Sequence, residues 1–336
     1  MNRSSRWLAA LLAGILALSL CACTPAPSAN DESSLEKVTF VLDWTPNTNH
    51  TGLYVALEQG WFEEVGLDVE VVQPPADGAE VLVASGKAQF GVSFQDSLAP
   101  ALGGDTPLPV TAVAAVIQHN TSGIISRAGE GMHTPAGLAG HKYATWDLPV
   151  EKATIAHVME ADGGKFDEVE LIPSTVTDEV SALESKSVDA IWIFYAWAGI
   201  ACQTAGLDTD YFAFADIDPV FDFYTPVIIA GNDFLTQKPD TARAFLSALS
   251  RGYAFAAENP DEAAEILMDA APELRSNEAL VLASQQYLAD QYTADAARWG
   301  EFDAARWASY YNWLNEQGLA EGLDSNAGFT NDFLPD

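Results

Sequence analysis

Val38-Thr39-Phe40-Val41-Leu42-Asp43-Trp44-Thr45-Pro46-Asn47-Thr48-Asn49-His50-Thr51-Gly52 runs from a β-branched apolar stretch, through a cluster of turn formers, into the helical stretch Leu53–Gln59. A short buried strand handing over to a helix through a polar loop is the opening unit of an α/β protein. The alternation continues. Strands are predicted at Leu67–Val72, Phe90–Ser93, Val110–Val116, Gly123–Ser126, Lys142–Thr145, Val169–Ile172, Ala190–Phe194 and Pro226–Ala230, with helical stretches between most of them. Beyond Asn232 the chain reads as helix to its end, over Pro239–Ala257, Asp261–Ala270, Asn277–Leu288 and Phe302–Gln317, with Pro239, Pro260 and Pro272 at starts and breaks.

An internal echo points to two related halves. Ala84-Ser85-Gly86-Lys87-Ala88-Gln89-Phe90-Gly91-Val92 and Glu184-Ser185-Lys186-Ser187-Val188-Asp189-Ala190-Ile191-Trp192 both read as a helix end, a turn with lysine and a buried strand. With the change to all-helix after Asn232, the echo implies a two-lobed α/β fold with mainly parallel sheets. Residues 36–127 plus 226–336 would form lobe 1, residues 128–225 lobe 2, and the C-terminal helices an extension of lobe 1. Two chain crossings make a hinge, the device by which periplasmic-type binding proteins close on a ligand.

The N-terminus has Arg3 and Arg6, an apolar run from Trp7 to Leu20, and then Leu20-Cys21-Ala22-Cys23. That run is shorter than the roughly 20 residues a spanning helix needs, so residues 1–22 read as a cleaved export signal. Leu20-Cys21-Ala22-Cys23 resembles a lipoprotein processing site apart from Cys21, and Cys23 is the expected lipidation site. Residues 23–36, rich in Pro, Ser, Ala and acidic side chains, read as a flexible tether. After cleavage, Cys202 is the only other cysteine, so no internal disulfide is available, and it reads as a buried small hydrophobe. The formal charge of −33 argues against nucleic acid or an anionic lipid surface as partner. The expected location is the outer face of the cell membrane, held by the lipid alone.

In open α/β sheets ligands sit beyond the carboxyl ends of the strands. Those segments here are Asp43–Gly52, Phe94-Gln95-Asp96, Gln118–Thr121, Trp146–Pro149, Tyr195-Ala196-Trp197 and Phe221–Tyr224; they carry aromatics, amides and carboxylates, and none contains Lys or Arg. Sulfonates and phosphates usually recruit a guanidinium or ammonium, whereas a flat, neutral or weakly basic heteroaromatic suits this inventory. Two plainer readings stand beside this one: Asp43–His50 as a capped turn, and Trp192, Phe194, Tyr195 and Trp197 as core aromatics. The sequence has no G-x-S-x-G, no H-E-x-x-H and no Walker-type phosphate loop, and His50, His119, His133, His141 and His157 lack metal-ligand spacing. No catalytic group, metal or cofactor is expected.

Leu42–Ala56 resembles the opening motif of the ThiY-type binding proteins, and the likeness runs on through Gln118–Gly123, Tyr224–Val227, Arg298–Glu301 and Phe329–Pro335. The resemblance implies a monomeric extracytoplasmic subunit that binds a thiamine pyrimidine precursor, formylaminopyrimidine or hydroxymethylpyrimidine, and delivers it to an ABC permease and its ATPase. With the strand-end segments, it makes Asp43, Trp44, Asn47 and His50 of the opening motif ligand-binding candidates; the strand-end inventory by itself adds Gln95, and its aromatics give Trp192, Tyr195 and Tyr224 as stacking candidates. The superfamily also contains a fungal synthase that builds the pyrimidine from pyridoxal phosphate and one of its own histidines. The enzyme's cofactor lysine falls here at Ser93, its sacrificed histidine at Ser97, and its cysteine-rich stretch near Phe221–Thr225, which has no cysteine. Trp146 and Glu151 lie where that enzyme grips its cofactor and join the cleft candidates. Two alternatives stay open: the same fold with another ligand, such as riboflavin or a sulfonate, and a synthase-like enzyme.

Overall fold

The computed structural model describes residues 35–336 apart from 105, 175 and 321. The expected signal peptide, Cys23 and nearly all of the tether lie outside the described residues. In chain order the strands are β1 (Glu36–Val41), β2 (Leu67–Val72), β3 (Phe90–Ser93), β4 (Val110–Ala115), β5 (Ser122–Arg127), β6 (Lys142–Thr145), β7 (Glu170–Pro173), β8 (Ala190–Phe194), β9 (Thr209–Ala213) and β10 (Val227–Gly231). They form two five-stranded sheets, ordered β2-β1-β3-β10-β4 and β7-β6-β8-β5-β9.

The second sheet repeats the first. In each, four strands run one way and one runs against them: β10 between β3 and β4, and β5 between β8 and β9. Each sheet receives its reversed strand from chain that has just left the other sheet. The sequence echo is the local form of this symmetry. Its two copies end the short helices Ala79–Ala84 and Glu179–Glu184, turn through left-handed Gly86 (φ 73°) and Lys186 (φ 58°), and enter β3 and β8, which hold equivalent places.

Two expectations need correction. The edge strand β9 was not anticipated, because Thr209 and Asp210 hide its alternation and only Phe212 is buried. The expected boundary after residue 127 also moves. Ser122–Arg127 pairs with β8 and β9, so the chain has already passed to the second sheet by Ser122.

Period-two patterning sorts the side chains. Val38, Phe40 and Leu42 pack in one cluster, with residues of the helices Thr51–Glu58 and Pro239–Glu258, while Val41 belongs to another. Phe245 of the long helix lies 4.0 Å, centroid to centroid, from Phe90, 5.0 Å from Phe62 and 5.9 Å from Phe40. Each such buried ring contributes about 2 kcal/mol from apolar burial. The C-terminal helices are thereby fixed to the first sheet. Helices Thr51–Glu58 and Pro239–Glu258 touch backbone to backbone: a Cβ on Gly252 would lie 1.9 Å from the Gly52 carbonyl oxygen, and one on Gly52 would lie 2.4 Å from the Tyr253 ring. Cys202 is buried among Ile125, Leu183, Val188 and Ile191, and burial pushes its thiol pKa up to about 11. Among the described residues no helix is long and apolar enough to cross a membrane.

Candidate functional site

A cleft of 430 Å³ opens where strand ends of the two sheets face each other. The first sheet contributes Asp43, Trp44, Asn47 and Asn49 after β1, Phe94 after β3, and Thr225 and Pro226 before β10. From the second come Trp146 after β6, Thr177 and Glu179 after β7, and the end of β8 with Trp197 and Ala198 beyond it. Because β10 runs against its neighbours, its beginning lies at the carboxyl edge of the others, so both sheets present the same edge. Among the described residues, no Lys or Arg lines the cleft.

Asp43 is held in one orientation. His50, only 1% exposed, sits behind it with Nε2 2.7 Å from Asp43 Oδ1, and the backbone N–H of Asn47 donates to His50 Nδ1 at 3.2 Å. A ring nitrogen that accepts carries no proton, so the proton is on Nε2 and is donated to Asp43. That leaves Asp43 Oδ2 as an acceptor for the cleft. Asn47 lines the cleft, yet its side chain is engaged in the turn: Oδ1 accepts from Asn49 N at 2.9 Å and Nδ2 donates to the Thr45 carbonyl. The capped-turn reading and the site reading therefore both hold for Asp43–His50. Tyr253 and Tyr292 pin this loop from the C-terminal helical region by donating to the carbonyls of Asn49 and Thr48.

Across the cleft, Trp146 is carried on a loop organised by Glu151. The buried Glu151 carboxylate accepts from Tyr143 Oη at 2.6 Å, Thr145 Oγ1 at 2.9 Å, Trp146 N at 3.1 Å and Leu148 N at 3.3 Å. Every lone-pair direction is used inward, so Glu151 does not line the cleft; it fixes the residue that does. Trp146 meets Trp192 at 5.8 Å between centroids. Phe94 and Phe194, at matching positions after β3 and at the end of β8, stack across the cleft at 6.5 Å and 18°. Trp44, Trp146 and Phe194 are 54%, 43% and 39% exposed, an unusual exposure for large aromatics and the mark of a binding surface.

Polar capacity in the cleft is left over. Asn49 Oδ1, Trp192 Nε1 and Thr225 Oγ1 are buried polar atoms without a partner among the described residues, and all three residues line the cleft. Such atoms cost free energy unless something meets them. Glu179 adds a second carboxylate, whose pKa is raised by burial and by the nearby Asp178 charge. The site therefore offers stacking faces, two carboxylates, an amide oxygen, an indole N–H and a hydroxyl.

Of the ten residues proposed from sequence, Asp43, Trp44, Asn47, Trp146 and Trp192 line the cleft, and His50 and Glu151 stand directly behind it. Three are elsewhere. Gln95 is fully buried and ties Tyr224 N to the Trp307 carbonyl. Tyr195 packs on Tyr211 and Tyr287. Tyr224 is buried, accepts from Arg306 Nη2 and borders a separate polar concavity with His119 and Asp222. In each case an adjacent residue faces the cleft: Phe94 before Gln95, Phe194 before Tyr195 and Thr225 after Tyr224. A strand alternates its side chains, and a one-residue error in where a strand stops turns the choice to the wrong side. Asn49, Thr177, Glu179 and Trp197 were missed, Thr177 and Glu179 because nothing in a loop or at the start of a short helix announces which sheet edge it will reach.

Residues 47–263 match the sequence profile described as NMT1/THI5 like. The formylaminopyrimidine-binding protein of Halalkalibacterium halodurans is 30% identical over 311 residues, covering 91% of this chain and 92% of that protein. A 4-amino-5-hydroxymethyl-2-methylpyrimidine phosphate synthase of Saccharomyces cerevisiae is 24% identical, covering 90% and 88% respectively. Among solved structures, the periplasmic aliphatic sulphonate binding protein of Escherichia coli shares the fold with a TM-score of 0.66 at 16% identity, over 87% of this chain and 91% of that one. The architecture is thus that of the periplasmic binding proteins, with a C-terminal helical extension.

Proposed function

The chain belongs to the NMT1/THI5-like family, and from that premise we propose that it is the extracytoplasmic solute-binding protein of an ABC importer, binding an aminopyrimidine thiamine precursor between its two lobes. The observation that carries this reading is the lining of the cleft. Trp44, Trp146 and Trp192 offer ring faces, Asp43 and Glu179 accept from amino groups, and among the described residues no Lys or Arg lines the cleft to hold an anion. Formylaminopyrimidine and hydroxymethylpyrimidine have the matching chemistry: a flat ring, an exocyclic amine and a short polar arm. The ligand binds one lobe and the other closes over it, a population shift limited by the ligand's preference for the closed state. The closed form docks on the permease.

Binding without chemistry fits the residues better than the synthase reading. Ser93, which stands at the position of the synthase lysine, is buried and donates its hydroxyl to Glu80. Neither Ser93 nor Ser97 lines the cleft. Calorimetry tests the proposal directly. Both pyrimidines are expected to bind with micromolar or tighter affinity; absence of heat from both, with tight binding of riboflavin or an alkanesulfonate, would show another ligand class. Conversion of pyridoxal phosphate by the purified protein would restore the enzyme reading.

We propose further that a lipid on Cys23 keeps this importer subunit beside its permease. Cys23→Ala is expected to release a protein that binds pyrimidine unchanged, while uptake by cells at low precursor concentration is lost. Retention of the variant on membranes would show that the lipid is not the anchor.

A further inference from the structure

The cleft has a neighbour. A second concavity of 580 Å³ shares Thr177, Glu179 and Trp197 with it and continues past Asp178, Asn277 and Glu278. Residues that line both spaces lie between them, and Trp197 is the largest of the three. The backbone that carries it is a π-helical turn, Tyr195–Gly199, at the end of β8. Turns of this kind are uncommon and concentrate at functional sites.

That turn is braced on three sides. Tyr195 packs between Tyr211 and Tyr287, at 4.8 and 5.5 Å between centroids. Ser284 Oγ donates to the Ala196 carbonyl and meets Thr48 Oγ1 at 2.6 Å, so a hydrogen-bond chain joins the turn to the loop that carries Asp43. At Gly199 a Cβ would lie 2.4 Å from the Tyr195 ring, so the turn closes on a glycine. Trp197 itself is half-buried and packs against the cluster of Leu267, Met268 and Val281, so its side chain is fixed as a wall. The annex behind it carries Asp178, Glu179 and Glu278 and, among its lining residues, no Lys or Arg.

Resting on the aminopyrimidine reading of the main cleft, we propose that Trp197 is a specificity-determining residue: it limits ligand length by shutting off this annex, and an arm long enough to enter would be selected for positive charge. The short arms of hydroxymethylpyrimidine and formylaminopyrimidine stop at the wall. A pyrimidine with a second, cationic ring meets it.

The test compares a short and a long ligand on the same protein. Hydroxymethylpyrimidine and thiamine form one pair, which shares the pyrimidine ring and differs by a cationic arm. Benzamidine and 4-phenylbenzamidine form a second pair that does not depend on pyrimidine recognition. Wild-type protein is expected to prefer the short member of each pair. Trp197→Ala should shift the long-to-short affinity ratio by about tenfold or more in favour of the long member, the scale on which a pocket wall discriminates size. Trp197→Phe should stay near wild type, and Glu278→Gln, at a carboxylate that lines the annex and not the main cleft, added to Trp197→Ala should remove most of the gain for thiamine. Trp197→Leu carries the same comparison if the alanine variant melts early. An unchanged ratio in whichever pair binds overturns the wall. A shift in the amidine pair with no binding of either pyrimidine keeps the wall and overturns the aminopyrimidine reading; binding of neither pair to any variant overturns both.

Discussion

Asp43→Asn is expected to weaken pyrimidine binding about 100-fold while leaving the melting temperature nearly unchanged. The substitution keeps the shape, and an asparagine oxygen can still accept from His50 Nε2, 2.7 Å away in the native pair. What turns toward the cleft is then an NH₂ group. An amino group of the ligand would face a donor where it had met a charged acceptor, and losing a charge-assisted bond and leaving the ligand's donor unpaired costs about 3 kcal/mol. That converts to roughly two decades in Kd. Titration calorimetry at fixed pH reads the change. His50→Ala should cost less, because Asp43 stays charged and loses only its fixed orientation. The sign of the Asp43→Asn effect also discriminates between ligand classes: removing a carboxylate from a cleft that held a sulfonate would strengthen binding, and that result would overturn the pyrimidine reading.

Glu151→Ala is expected to show the opposite profile, a large loss of stability with a smaller loss of affinity. Glu151 is 1% exposed and accepts four hydrogen bonds. Its removal strands the Tyr143 and Thr145 hydroxyls and the backbone N–H groups of Trp146 and Leu148 in a site with little water. The cost is about 3 kcal/mol or more. For a chain of this size that lowers Tm by roughly 5 °C. Affinity falls because Trp146 loses the loop that aims it, so Kd should rise less than in Asp43→Asn. Glu151→Gln keeps one acceptor and should recover part of the stability. Thermal melts and titrations on the same two variants separate the group that meets the ligand from the group that only positions a wall. A Glu151→Ala protein with native Tm would remove the buried carboxylate from its assigned role.

The contrast between these two acids shows how much of the site could be read in advance. Both are carboxylates close to a strand end, and both stood among the sequence candidates. Asp43 follows β1 immediately, so the rule that ligands meet strand ends selects it. Glu151 stands three positions into a helix, at a place where a capping carboxylate turns back to its own loop; Pro149 at the helix start is the sequence sign of that geometry. Gln95, Tyr195 and Tyr224 went astray for a related reason. Each is adjacent to a cleft residue, and the face a residue takes at the end of a strand depends on the last hydrogen-bonded pair of the ladder. Gln95 N bonds the Tyr224 carbonyl and Tyr195 N bonds that of Thr121. Those pairings join segments far apart in sequence.

What the sequence determined by itself is the alternation of strand and helix, the two copies of a helix-turn-strand unit, the loop from Asp43 to Gly52 and the absence of Lys and Arg at the strand ends. These are local properties, written in side-chain periodicity, turn chemistry and composition, and a short window suffices to read them. It took the folded chain to show that β5 already lies in the second sheet, that β5 and β10 run against their neighbours, that Phe94 and Phe194 meet across a cleft, that Glu179 faces the same space as Asp43, and that Trp197 stands between that space and its annex. Each of these brings together residues that are distant along the chain, with the register fixed by packing of two sheets and the C-terminal helices. No window of sequence contains both partners, so their meeting becomes visible only when the chain is folded.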